Sequence, residues 1–222
     1  MLNNLKIGVR LGIGFLLVVS VLIATLALGM SKMSALNDDM QTVVTDRFPK
    51  VVQSNEIIDS VNVVARATRN IVLLKDEDAI KKEVTSIDEA RAIIKDRLAK
   101  LDESIKTDDA RAVFNKMVES RTAYVESQDR FLKLVSDRKT EEATSYLLSD
   151  IRPLQAKYID DVNALVAFQT KLVNQAGEDA IQNYQQSRQL MITLAIGAVV
   201  IAVVMGVWVT RSVTVPINHA VT

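Results

Sequence analysis

The sequence predicts an all-α protein: a membrane-anchored, antiparallel up-down-up-down four-helix bundle whose first and last helices continue into two transmembrane helices. Three observations predict it. Two uncharged apolar runs stand near the ends of the chain, at 11–30 and 190–210, and all 27 acidic residues fall between them, in 31–189. That middle stretch holds one glycine, Gly177, two prolines, Pro49 and Pro153, and no alternating apolar run long enough to build a sheet.

The first run, LGIGFLLVVSVLIATLALGM, has the roughly 20 residues that cross a hydrocarbon core of about 30 Å at 1.5 Å per residue. A secretory signal is the alternative reading, since Ala27-Leu28-Gly29 resembles a small-residue cleavage site, but signal cores hold only about 7–15 apolar residues. The second run, LMITLAIGAVVIAVVMGVWVT, is bounded by Arg188 and Arg211. Its alternative is the buried central helix of a soluble protein. The outer tails, 1–10 and 211–222, carry only Lys6, Arg10 and Arg211 as charged side chains, which places both in the cytoplasm by the positive-inside rule and 31–189 in the periplasm.

Polar clusters mark the helix breaks inside 31–189. Lys75-Asp76-Glu77-Asp78, Lys106-Thr107-Asp108-Asp109, and Ser136-Asp137-Arg138-Lys139-Thr140 with Glu141-Glu142 each put acceptors and acids where a helix starts. They divide the segment into a first helix over about 31–74, two of about 28 residues, and a last one over about 140–189. Heptad spacing predicts the core. The stripe on the second helix is Ile80, Val84, Ile87, Ile94, Leu98, Leu101 and Ile105, and on the third Val113, Met117, Ser120, Tyr124, Ser127, Phe131 and Leu134. The fourth offers Leu147, Ile151, Leu154, Tyr158, Asp161 or Val162, Leu165, Phe168 and Leu172, and the first Ile57, Val61, Ala65, Thr68 and Val72. The polar members of these stripes are expected to cluster in the membrane-distal half. Pro49 and Pro153 each remove a donor inside a helix, which predicts curvature, and at Pro153 a turn opened towards a ligand is the second reading.

Chemistry is sparse. His219 is the only histidine, there is no cysteine, and no glycine-rich phosphate loop occurs, so neither an enzyme, a cofactor nor a metal site is expected. The middle segment has 24 basic and 27 acidic side chains, a formal charge of about −3, which argues against nucleic acid as a partner. Arg66 and Arg69 lie three apart beside Thr68 and Asn70, and guanidinium forks suit a carboxylate. Together with Tyr124, Arg152, Gln155 and Tyr158 they make the candidate ligand-binding set.

With those residues in place the chain resembles bacterial chemoreceptors, the methyl-accepting chemotaxis proteins with a four-helix-bundle ligand-binding domain. The resemblance rests on KIGVRLGIGF, on FPKVVQSNEIIDSVNVVARATRNIVLL, on IRPLQAKYIDDVNAL and on RSVTVPINHAV after the second span. Arg211-Ser212-Val213-Thr214-Val215-Pro216-Ile217 looks like the start of a HAMP domain, so the chain reads as a fragment that stops at Thr222 before its output. In the aspartate-type members, arginines near the distal end of the first helix and a proline-containing stretch of the fourth bind ligand across a dimer interface. Arg66, Arg69 and Arg152-Pro153-Leu154-Gln155 look like their counterparts, with Leu154 where those receptors have a threonine.

The resemblance implies a receptor in the bacterial inner membrane that takes a small organic acid or amino acid. It implies a homodimer or higher homo-oligomer in contact with membrane lipid, and a chemotaxis kinase and adaptor reached through the part that follows. HAMP openings also occur in sensor histidine kinases, so the input module of such a kinase is an alternative. A bundle that senses a partner protein and binds no small molecule is the third.

Overall fold

The structure, a computed structural model, describes residues 7–221. It is helical throughout, with no strand among the described residues. Helix α1 spans Ile7–Thr42, α2 Phe48–Leu73, α3 Glu77–Ser104, α4 Asp108–Ser136, α5 Thr140–Tyr146 and α6 Arg152–Val221. The chain falls into two compact units, one made of its two ends, up to Met40 and from Ala176, and the other of Gln41–Gln175.

The second unit is the bundle. Its four arms are the chain from Gln41 to Leu73, then α3, then α4, then α5 with α6 as far as Gln175. Linkers of three residues, 74–76, 105–107 and 137–139, join them. Connections so short oblige neighbouring arms to run antiparallel. Each turn is secured differently. Asp76 is extended and its carboxylate accepts from Asp78 N–H. Thr107 is extended too, but its hydroxyl makes no cap, and Lys139 brings no acceptor at all, so the capping expected at all three starts holds only at the first. The 105–107 turn is instead held by Arg111, which donates to the carbonyls of Asp102 (2.9 Å) and Ile105 (2.7 Å), the carbonyls that the end of α3 leaves open. At 137–139 the chain closes α4 with a Schellman motif: Lys139 N–H bonds Leu134 O, Arg138 N–H bonds Val135 O, and Arg138 takes φ 59°.

The heptad stripes are the core. Ile57, Val61, Ile87, Leu101, Met117, Phe131, Ile151, Val162 and Leu165 are all buried. Polar residues enter that core at both ends. Ser120, Ser127 and Thr68 are joined by Lys50, Ser54 and Gln169, which lie at the opposite end from the 74–76 and 137–139 turns. The expected concentration in one half is therefore corrected. Lys50 is tolerated because its ammonium pairs with Asp46 at 2.7 Å and its carbonyl accepts from Ser54 Oγ.

Neither proline opens its helix; each is preceded by one π-helical turn, Val43–Arg47 before Pro49 and Leu147–Ile151 before Pro153. A proline lacks the N–H for the usual bond and its ring collides with the carbonyl four residues back. One extra residue per turn relieves that collision, and Phe48 N–H and Arg152 N–H bond five residues back, to Val43 O and Leu147 O. The two sites repeat one pattern, VVTDRFP and LLSDIRP: two aliphatics, a hydroxyl residue, an aspartate, two more residues, a proline. In both the hydroxyl donates to the carbonyl four residues earlier, Thr45 to Gln41 (2.8 Å) and Ser149 to Ser145 (3.0 Å), a bond that bends helices.

The other unit is made of parts of α1 and α6, both long and apolar enough to cross a membrane. The most apolar window is 6% buried in the first and 0% in the second, so neither is covered by the rest of the described residues. Glycines bring the two segments together: a Cβ on Gly14 would lie 3.1 Å from Met205 Cε, and one on Gly29 3.0 Å from Met191 Cε. The expected tail 1–10 falls largely outside the described residues. Over 211–221 the backbone is helical; of the side chains on which the HAMP resemblance rests only Arg211 is described, exposed, and those from Ser212 on, with His219, are outside the description.

Candidate functional site

Halfway along the bundle, Val64 of α2, Arg91 and Ile94 of α3, Arg121, Tyr124, Val125 and Gln128 of α4, and Tyr158 of α6 enclose a cavity of about 10 Å³. That is room for about one water molecule. Each residue arrives there by helical register. Arg91 is four residues after Ile87 and three before Ile94, so it occupies an inward position of α3. Tyr124 and Gln128 are one turn apart on α4, and Tyr158 comes from the inward stripe of α6.

The walls are polar where a core wants carbon. Tyr124 and Tyr158 are each 1% exposed, with ring centres 6.0 Å apart and planes tilted by 41°. Tyr124 Oη, Tyr158 Oη and Arg121 Nε are all buried without a hydrogen-bond partner. Of the four such side-chain atoms among the described residues, these three line one cavity; the fourth is Gln53 Oε1. An unmade bond of this kind costs on the order of 1–3 kcal/mol. Arg91 by contrast is engaged: its Nε and one terminal nitrogen donate to Gln128 Oε1 at 2.9 and 2.7 Å, and its other terminal nitrogen meets Asp129 at 2.8 Å.

Burial pushes the Tyr124 phenol up from its ordinary 10 to about 12, against the Gln128 amide, which lies near Oη without the geometry of a hydrogen bond, and against the charges of Arg91 and Arg69. Burial likewise pushes Tyr158 up, against Arg121. Both hydroxyls therefore stay protonated and offer O–H donors. With the guanidinium of Arg121 and the amide of Gln128, whose oxygen is already occupied, the cavity presents mostly donors.

Of the residues singled out in the sequence, the structure brings Tyr124 and Tyr158 together here. Thr68 is buried but spends its hydroxyl on Val64 O at 2.7 Å. Arg66, Arg69 and Asn70 are exposed, Asn70 donating to Glu83 at 2.8 Å, and only the charge of Arg69 reaches Tyr124. Arg152 is exposed and Gln155 half-buried, and neither lines the cavity. Sequence reasoning passed over Arg91, Arg121 and Gln128. The signal for one was present: the heptad stripe of the second helix runs from Ile87 to Ile94 with its intermediate position vacant, and Arg91 fills it.

A bundle of four arms enclosing a donor-lined cavity can now be set beside known proteins. The family described as a four helix bundle sensory module for signal transduction matches residues 4–184. The chain belongs to that family. The sensory module is also similar to a protein of Acetivibrio thermocellus provisionally named a sensory transducer, 24% identical over 150 residues. The match covers 68% of this chain and 27% of that relative, so the chain spans about a quarter of the curated relative's length.

Proposed function

We propose that this sensory module is the input part of a chemoreceptor. The bundle stands in the periplasm, the two apolar helices cross the inner membrane, both termini are cytoplasmic, and 211–222 begins a HAMP domain. A small organic acid or amino acid is received in the cavity of Arg91, Arg121, Tyr124, Gln128 and Tyr158. The observation that carries this reading is the convergence of three buried, unpartnered polar atoms on one cavity in a sensory bundle. A ligand that supplies the missing acceptor favours the packing that admits it over the closed one, and only such differential affinity shifts an equilibrium. Coupling of about 1–3 kcal/mol is typical of such a device. Tyr158 belongs to α6, the same helix that holds the second apolar run, so a change in its packing acts on the element leading to the output.

A second copy of the chain is the partner this reading entails. Val44, Phe48 and Val52 are exposed at four-residue spacing along the first arm, an apolar stripe suited to a matching stripe on a twin. The chemotaxis kinase and adaptor are reached through the sequence that follows. The test joins this chain to the cytoplasmic half of a chemoreceptor in cells without receptors of their own. Kinase activity is expected to change on adding small organic acids or amino acids, and Tyr158→Phe is expected to shift the response at least tenfold. Kinase control indifferent to every such compound refutes the reading.

A further inference from the structure

The cavity's size and the sign of its walls narrow the ligand further. Two cationic side chains line it, Arg91 and Arg121, and no carboxylate does. Of the two, Arg91 already has Asp129 as its partner at 2.8 Å, which leaves the charge of Arg121; Asp161, one turn beyond Tyr158, accepts from Lys157 at 2.9 Å. Gln128 Oε1 already accepts twice from Arg91. An α-ammonium group needs two or three acceptors, and the only oxygens left to it are the two phenolic ones, beside a guanidinium that repels it. An anion meets the reverse situation, with Arg121 Nε–H, two O–H donors and the Gln128 amide hydrogens all pointing the same way in charge.

We infer that, within the proposed input site, the cavity binds a small monoanion without an ammonium group, of formate, nitrate or acetate size, held by Arg121, Tyr124, Tyr158 and Gln128. This rests on the reading of the cavity as the input site. The size limit follows from the space, which takes about one water before any helix moves, so an anion of up to about four heavy atoms enters with the least separation of α4 from α6. Aliphatic walls at Val64, Ile94 and Val125 leave the far side apolar, which suits a single charged end and disfavours a dicarboxylate. Arg121 holds the charge, and the two tyrosines position it by donating from neighbouring arms of the bundle.

The test uses the full chain in detergent or nanodiscs, in a sulfate buffer of constant ionic strength, with thermal unfolding and calorimetric titration as readouts. Sodium formate, nitrate and acetate are expected to give a saturable rise in melting temperature, while glycine, aspartate and succinate at the same concentration give none. Arg121→Gln and Tyr158→Phe are each expected to weaken the anion at least tenfold while unfolding, without anion, within a few degrees of the parent. Equal anion shifts in parent and both variants overturn the site. An amino acid that binds where the monoanions do not, and is lost in the same variants, overturns the anion class and leaves the cavity as input site. No saturable shift from any compound overturns both, and the cavity is then the seat of a buried water only.

Discussion

The two buried tyrosines make the stability of this protein depend on alkaline pH in a defined window. In the folded chain burial raises Tyr124 from its ordinary 10 to about 12, and raises Tyr158 in the same direction. Below pH 10 both phenols are neutral whether the chain is folded or not, and stability is at its full value. Above it the unfolded chain releases protons that the folded chain retains, so the unfolded state binds fewer and stability falls as pH rises. At about 1.4 kcal/mol for each tenfold difference in proton affinity, Tyr124 alone accounts for a loss of about 2 kcal/mol by pH 12. Tyr158 adds to it. The measurement is guanidinium unfolding of the full chain in detergent from pH 9 to 11.5, for the parent and for the Tyr124→Phe, Tyr158→Phe double variant. Subtracting one from the other cancels lysines and all other titrating groups. The difference is expected to be flat below pH 10 and to grow with a slope approaching 1.4 kcal/mol per pH unit per tyrosine above it. Parallel pH dependences refute the argument, since they mean that the phenols ionise in the folded bundle as freely as in water.

Two further substitutions test the packing. Arg138 holds φ 59° at the left-handed position that closes α4, where a side chain costs about 1–2 kcal/mol and glycine nothing. Its ion pair with Glu77 is exposed on both sides and worth little. Arg138→Gly is therefore expected to raise stability by about 1 kcal/mol, read by thermal unfolding as a rise of about 2–4 °C. Asp46→Ala leaves the ammonium of Lys50, whose side chain is 8% exposed, without its partner, and is expected to cost about 1–3 kcal/mol. Adding Lys50→Met is expected to recover most of that loss in chemical unfolding, whereas additive costs refute the pairing argument.

The fold was legible because the physics that makes it is periodic. Ile87, Leu98 and Leu101, or Ile57 and Val61, recur at the spacing that turns one helix face inward, and every one of them is buried. Of the candidate site, part was legible. Tyr124 and Tyr158 stand on those same stripes and were found by them. Arg66 and Arg69 lie three apart, which sets them on one side of the helix without saying which. The phase does say: Ala65 and Thr68 are the inward pair, so residues one further along face out. Arg121 and Gln128 follow Ser120 and Ser127 by one position on α4, at the margin of the inward stripe. From the margin a long polar side chain reaches either water or a core cavity, and periodicity alone does not separate the two. What decided it was the opposite wall, which only the packed bundle supplies.

The π-helical turn before Pro153 sets the phase of the arm that carries Tyr158. Ala143, Leu147 and Ile151 follow one another by four and four, where a regular seam alternates three and four. The surplus residue divides the fourth arm into two frames that need not agree in rotation. Above it, α5 settles its contacts with α4, where Ser127 donates to Tyr146 Oη at 3.1 Å and Arg130 lies over the same ring at 5.0 Å. Below it, Tyr158, Val162 and Leu165 set their own facing. The tip of the bundle can thus drift in sequence, gaining or losing side-chain bulk, without turning the tyrosine away from the cavity.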